Sequence, residues 1–526
     1  MAATLLEPAT ALAREIADKS ADKIAQLVRS RELSAREVTE AFIHRIEQVN
    51  PRINAVVLPL FDEALKDADR LDRALALASL SGPLCGVPVT IKESIEIAST
   101  PSTLGLTERV CHRAAEDAVQ VARLKQAGAI VLGKTNVSLL LRAYETDNPV
   151  YGRTNNPWNL DRAPGGSSGG EGAIVAAGGC AFGLGSDLGG SARLPAHACG
   201  VHALRPTSGR LTMLGHARVQ AAHSGAITSQ PAPIARHVCD LAVAMRVLAA
   251  PGQEDVDPTI APVEWHETAG LRNLRVGFYT DNGIICPAPA VRRAVREAAR
   301  ALENIGVNVV EFRPPDLDDA WEIQLRLTCA DGLASYRRAL TTSKGAKVRL
   351  TAMPGPMRTA TALLADLFGQ KKLATTMRFK QRLSIGEYME LLGRKRSYSL
   401  RFLAAMDRAR LNAILCPPDA LPALKHGSSY YLSGCTVSYP GLYSLLGMPA
   451  GVVAASRVRP YEETERPVSR DMFERAARRV ELGSAGLPIG VQVVARHWRE
   501  DVVLAIMQAL EDHFRGQPDY PELTKT

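Results

Sequence analysis

No run of about 18 consecutive apolar residues, the length a membrane-spanning helix needs, occurs in the sequence. The start, MAATLLEPATALAREIADKSADK, has no basic opening followed by an apolar run and a small-residue cleavage site, so it does not read as a secretory leader. Aromatic residues are scarce, at 5%. The excess of positive charge is small, +8 from 63 basic and 55 acidic residues. A nucleic-acid surface would want that charge gathered into one patch beside aromatic rings, so nucleic acid is not an expected partner. Nine cysteines (85, 111, 180, 199, 239, 286, 329, 416 and 435) are scattered, odd in number and without a C-x-x-C pair. That spacing excludes a disulfide framework or thiolate metal centre and suits reduced thiols in a cytoplasmic enzyme.

What is present is ordinary globular composition: 526 residues, 46% hydrophobic and 22% charged. Ser34 and Glu37 form the Ser-x-x-Glu signature of a helix start, followed by Val38, Ala41, Phe42, Ile46 and Val49 on one face, with Pro51 as the expected stop. Gly86–Lys92 has strand periodicity, with Val87, Val89 and Ile91 on one side and Thr90 and Lys92 on the other. A helix over 116–127 and a strand over Ala129–Leu132 follow. Further strands are expected at Leu274–Phe278, Ala413–Leu415, Val452–Ala454 and Gly490–Val494, and helices at Ala288–Ile305 and Glu500–Phe514. Alternation of this kind permits an α/β layered architecture. Residues 164–200 are rich in Gly, Ser and Ala but sparse in charge, which predicts a buried, tightly wound segment rather than a linker.

Two motifs mislead. Gly128-Ala-Ile-Val-Leu-Gly133-Lys134-Thr135 matches the phosphate-loop pattern by letter, but Ala-Ile-Val-Leu favours a buried strand, and the turn expected after it is too short to wrap a phosphate. Gly165-Gly-Ser167-Ser-Gly169 matches the G-x-S-x-G elbow, yet no strand precedes it and no downstream histidine is marked out. His197 and His202 lie close to the serines in sequence and are read as structural.

Three segments carry the chemistry: Gly86-Val-Pro-Val-Thr-Ile-Lys92, Pro164-Gly-Gly-Ser167-Ser168-Gly-Gly-Glu171 and Gly185-Ser-Asp187-Leu188-Gly189-Gly190-Ser191-Ala-Arg193. A serine hydroxyl is a weak nucleophile until a base takes its proton. Lysine serves as that base only when neutral, which requires its pKa to fall by about three units, worth ~4 kcal/mol, and burial acts in that direction. In residues, order and spacing (Ser167 and Ser191 are 24 positions apart) the set resembles the amidase signature family. The resemblance covers nearly the whole chain and is densest from Gly86 to Pro206. It implies a single domain over 1–526, an α/β/α sandwich around a twisted mixed β-sheet, and no metal or cofactor. It makes Ser191 the nucleophile, Lys92 the base, and Ser167, at a cis peptide bond, the relay between them. Leu188, Gly189 and Gly190 would supply oxyanion N–H groups, with Asp187, Arg193 and Ser168 in support.

Glu171 is similar to the fatty acid amide hydrolase branch, as are Ser102-Thr-Leu-Gly-Leu106, Asn155-Asn-Pro-Trp158 and Leu446-Gly-Met-Pro-Ala-Gly-Val-Val453. That likeness implies hydrolysis of a carboxylic or fatty acid amide through an acyl-Ser191 intermediate, with Leu141 lining the acyl pocket. The neighbouring Arg142 suits an apolar channel poorly: it either points away or marks a more polar substrate. A helical cap insertion is expected over 349–400. Within it the basic stretch 357–383 sets Leu363, Leu364, Leu367, Phe368 and Leu373 to enter a lipid surface, while Arg358, Lys371, Lys372, Arg378, Lys380 and Arg382 meet headgroups. The implied partners are a small-molecule amide, a peripheral membrane surface and a second copy of the chain in a homodimer. The alternatives are the glutamine-hydrolysing component of a tRNA-dependent amidotransferase and a small-amide or ester hydrolase.

Overall fold

The computed structural model describes residues 15–77, 82–217, 225–266, 270–341 and 355–522. The first 14 residues of the N-terminal reading and residues 349–354 of the expected cap lie outside these. The strands of the main sheet are Val56–Pro59 (β1), Pro88–Lys92 (β2), Ile130–Thr135 (β3), Phe182–Asp187 (β4), His202–Arg205 (β5), Gln230–Ala235 (β6), Arg275–Phe278 (β7), Asn308–Glu311 (β8), Ala413–Cys416 (β9), Ala450–Arg457 (β10) and Pro488–Ala495 (β11). These eleven lie in the order β1-β3-β2-β4-β6-β5-β10-β11-β9-β7-β8. The sheet is mixed. β2 runs parallel to β3 and β4, and β7 parallel to β8 and β9, whereas the middle strands from β4 to β9 pair antiparallel.

Helices cover both faces, because the central strands are apolar on both sides. The pleat sorts β9 cleanly: Ala413 and Leu415 enter one core while Ile414 and Cys416 enter the other. The first core takes in Gly169–Ala176, Val238–Leu248, Pro289–Asn304 and Glu500–Arg515; the second takes in Leu317–Thr328, Ile385–Arg408 and Ser438–Leu446. This is the expected α/β architecture. Among the described residues, no helix is long and apolar enough to cross a membrane.

The capping box forms as read, with Ser34 Oγ accepting from the Glu37 N–H and the Glu37 carboxylate accepting from the Ser34 N–H. Pro51 does not stop the helix, which runs Ala35–Ile53 with Pro51 inside its last turn. Asn54 ends it, in a left-handed conformation (φ 49°) that lets its N–H reach back to Asn50 C=O at 2.7 Å. The second correction concerns Gly133-Lys134-Thr135, expected as a turn. These residues continue β3, held between β1 and β2. Lys134 is buried, and its Nζ donates to Pro101 C=O at 2.6 Å and Ser102 Oγ at 2.9 Å, which rules out a phosphate loop here.

Candidate active site

β2 delivers Lys92 at its C-terminal end, and β4 delivers Ser186 and Asp187 alongside. Between them, the fully buried helix Gly169–Ala176 begins immediately after Ser167 and Ser168. Glycine permits the closest approach: a Cβ on Gly165, which has φ +84°, would stand 2.8 Å from the Pro195 backbone. The serine segment therefore lies directly on the segment that follows Ser191, and the Ser168 N–H donates to Ser191 C=O at 3.0 Å. The peptide between Gly166 and Ser167 is cis.

Lys92 is completely buried, and its Nζ lies 2.8 Å from Ser167 Oγ, 2.8 Å from Ser168 Oγ and 3.1 Å from Ser186 Oγ. Burial pushes its pKa down to about 7, against the opposing pull of Asp187, Glu171 and Glu93. Burial pushes Glu171 up to about 7 as well, while hydrogen bonds from Thr90 Oγ1 (2.6 Å) and Thr135 Oγ1 (2.7 Å), with the charge of Lys92, restrain the rise.

Ser167 is buried, whereas Ser191 is half-buried and faces a cavity of about 150 Å³. The Ser167 and Ser191 hydroxyls are not hydrogen-bonded to each other in this structure; the Ser168–Ser191 backbone bond ties the two segments together. The loop bearing Ser191 is braced by a buried ion pair. Asp187 accepts from Arg193 Nε and Nη2 at 3.0 Å each, and from the Gly190 N–H at 2.7 Å. Burial would raise the Asp187 carboxyl, but Arg193, Arg205 and the Gly190 N–H hold it well below the usual carboxylate range. Arg193 reaches on to Gln492 Oε1 (2.7 Å) and Ser444 Oγ (2.9 Å). The Gly190 N–H is thus engaged by Asp187, while those of Leu188 and Gly189 make no hydrogen bond among the described residues.

Leu139, Leu140 and Leu141 form a short turn lining the cavity, with Leu188 and Gly189 beside Ser191. Tyr144 joins the wall and donates its hydroxyl to Gly189 C=O at 2.6 Å. Arg142 also lines the cavity, so it does not point away. His197 and His202 are structural, as read. His197 sits between Leu421 C=O and the Gly490 N–H, with burial holding its pKa down to about 4, and His202 pairs with Glu511 at 3.2 Å.

Sequence reasoning missed Ser186 and His216. The His216 Nε2 lies 2.9 Å from Ser186 Oγ and 3.3 Å from Ser94 Oγ, so an imidazole stands one hydroxyl away from Lys92. Ser186 was legible as a strand residue neighbouring Asp187; nothing local marks His216. Among the described residues no cluster of His, Cys, Asp and Glu could hold a metal ion.

The chain belongs to the amidase family, whose profile matches residues 37–504. It is 33% identical over 497 residues to fatty acid amide hydrolase 1 of Caenorhabditis elegans, covering 91% of this chain and 86% of that protein. It is 33% identical over 504 residues to fatty-acid amide hydrolase 1 of Sus scrofa, covering 93% of this chain and 84% of that protein. A solved fatty acid amide hydrolase superposes with a TM-score of 0.82 at 27% identity, covering 95% of this chain and 85% of that one. The protein is an amide-hydrolysing enzyme close to the fatty acid amide hydrolases.

Proposed function

We propose that the protein hydrolyses amides with an apolar acyl chain through an acyl-Ser191 intermediate, with Lys92 as base and Ser167 as relay. The observation that carries this is the buried Lys92 Nζ at 2.8 Å from Ser167 Oγ, next to the only one of the three side chains that faces the cavity. A neutral amine has two N–H groups and one lone pair, and Lys92 has three hydroxyl neighbours. Ser168 directs its own proton to Ser186 C=O at 3.2 Å, so toward Lys92 it accepts. Ser186 accepts a second N–H, which leaves the lone pair for the Ser167 proton. Ser167 then takes the Ser191 proton as the Ser191 Oγ–carbon bond forms. The proton returns by the same route to the amine as the carbon–nitrogen bond breaks. Water attacks the acyl-enzyme in the second half, releasing the acid and restoring the Ser191 hydroxyl. Among the described residues the N–H groups of Leu188 and Gly189 are unengaged and available for the oxyanion, and that of Gly190 holds Asp187.

The leucine turn and the names of the relatives support an apolar acyl group. We read the chain as one amidase domain in which the described part of the expected cap, residues 355–400, covers the cavity, since Lys380 from that region lines it. Leu363, Leu364, Leu367 and Phe368 are exposed there and support a lipid-surface contact. The expected headgroup set is smaller than read. Arg358 is buried, Lys372 pairs with Glu474, Arg378 pairs with Asp366, and Leu373 packs on the core. Flotation with anionic vesicles tests this contact, and a concentration-dependent dimer without flotation would assign the patch to a second copy. For the chemistry, a serine-directed phosphonate should label the protein but not Ser191→Ala, and turnover should rise along primary amides from acetamide to oleamide. Labelling with a short-chain optimum would end the acyl-chain reading alone. Glutamine turnover only in the presence of partner chains would favour the amidotransferase reading.

A further inference from the structure

The cavity that opens on Ser191 is apolar along the leucine turn, yet Arg142 and Lys380 both line it. Neither has a carboxylate within ion-pair distance among the described residues. The Arg142 guanidinium lies 4.3 Å over the Tyr336 ring, and its Nη2 reaches a thiol, Cys329 Sγ, at 3.5 Å, a weak acceptor. Asp331, whose charge acts on Arg142, is itself engaged by the N–H groups of Leu333 and Ser335 at 2.8 Å each. A third cation, Arg358, lies against the same wall, donating to the C=O of Lys380 and to Gly332 C=O. Burial and the neighbouring Arg142 and Arg358 lower the Lys380 pKa, against the opposing pull of Cys329 and Cys435.

Cations held against an apolar wall without an ion-paired carboxylate attract an anion strongly, because little water screens them. A planar guanidinium beside a flexible ammonium suits a carboxylate: the fork fixes its plane and the ammonium adds charge. We propose that Arg142 and Lys380 form a subsite for a carboxylate at the far end of the acyl group, making monoamides of dicarboxylic acids the preferred substrates. Their methylene chain lies along Leu139–Leu141 with the amide carbonyl at Ser191. Hydrolysis releases the dicarboxylate and the amine. The inference rests on the reading of this cavity as the acyl site.

The experiment compares kcat/KM for primary monoamides of dicarboxylic acids of graded length with the methyl-terminated amides of matching length. At the best length the carboxylated amide should be favoured at least about tenfold, the discrimination that about 1.4 kcal/mol gives. Arg142→Leu and Lys380→Met should each cut that ratio about tenfold, acting through KM, while Arg142→Lys, which has the charge but not the fork, keeps only part of it. A wild type that prefers the methyl-terminated amide overturns the subsite and leaves the amidase reading standing. So do variants that lower both substrates equally, since that marks a structural role. If neither series is hydrolysed and the phosphonate fails to label Ser191, the amidase reading falls and the subsite falls with it.

Discussion

Thr90 Oγ1 donates to Glu171 Oε2 at 2.6 Å, two residues along β2 from Lys92 and on the same side of the strand. The carboxylate is thereby fixed beside the proposed base, where its charge favours the ammonium that burial disfavours. Replacing it with an isosteric amide keeps a side chain that the two threonine hydroxyls can still hydrogen-bond and removes that charge. Glu171→Gln should therefore lower the Lys92 pKa further, and the acid limb of the kcat/KM–pH profile should move to lower pH. A limb that stays in place or moves up would show that Glu171 does not act on the lysine.

Lys92 also predicts a slope of stability with pH. Its pKa is about 7 in the folded protein against an ordinary 10.5. Below the lower value both states carry the proton, and the folded state bears the full cost of a buried charge. Between the two values the unfolded chain holds the proton and the folded chain does not, so stability rises with pH. Urea midpoints should show wild type gaining on Lys92→Met from neutral pH to about pH 10; parallel midpoints would mean the lysine is not held neutral.

The buried Asp187–Arg193 pair should be expensive to break. Asp187→Ala leaves a guanidinium with no exposed surface and only neutral partners, Gln492 and Ser444. Loss of one member of such a pair typically costs about 3–5 kcal/mol. Thermal unfolding should show a large drop, and the loop that positions Ser191 should lose its brace, so labelling by the phosphonate should slow as well.

Ser186→Ala removes one of the three hydroxyls around Lys92 and cuts the link to His216. A single hydrogen bond is worth about 0.5–1.5 kcal/mol net, so kcat should fall about 2- to 13-fold. KM should change little, because Ser186 does not line the cavity. A rise in KM with kcat unchanged would place Ser186 in substrate binding instead.

Local patterns were legible where local physics decides. The Ser34–Glu37 cap, the alternation ending at Lys92 and the amphipathic helix Glu500–Arg515 all formed near their expected positions. Pro51 misled because a proline in the last turn interrupts little of the hydrogen bonding that remains, and Asn54 supplied the true stop. Gly133-Lys134-Thr135 misled because a glycine followed by polar residues reads as a turn, whereas two neighbouring strands hold it extended. Arg358 and Lys380, expected at headgroups from the basic, partly amphipathic pattern of 357–383 and the family likeness, face inward instead.

The sequence by itself determined the chemical inventory: one lysine ending an apolar strand, two glycine-framed serine segments, and an aspartate–arginine brace at fixed spacing. Only the tertiary structure showed how two equally buried lysines differ in their surroundings. Lys92 and Lys134 lie in neighbouring strands with similar burial, but one reaches three serine hydroxyls and the other the Pro101 carbonyl with the hydroxyls of Ser102 and Thr100. Only the structure brought His216 to Ser186 and turned Arg142 into the cavity. The reason is one of range. Backbone preferences and capping act over a few residues, whereas the Lys92–Ser167 contact joins positions 75 apart and its geometry is set by every element packed between them.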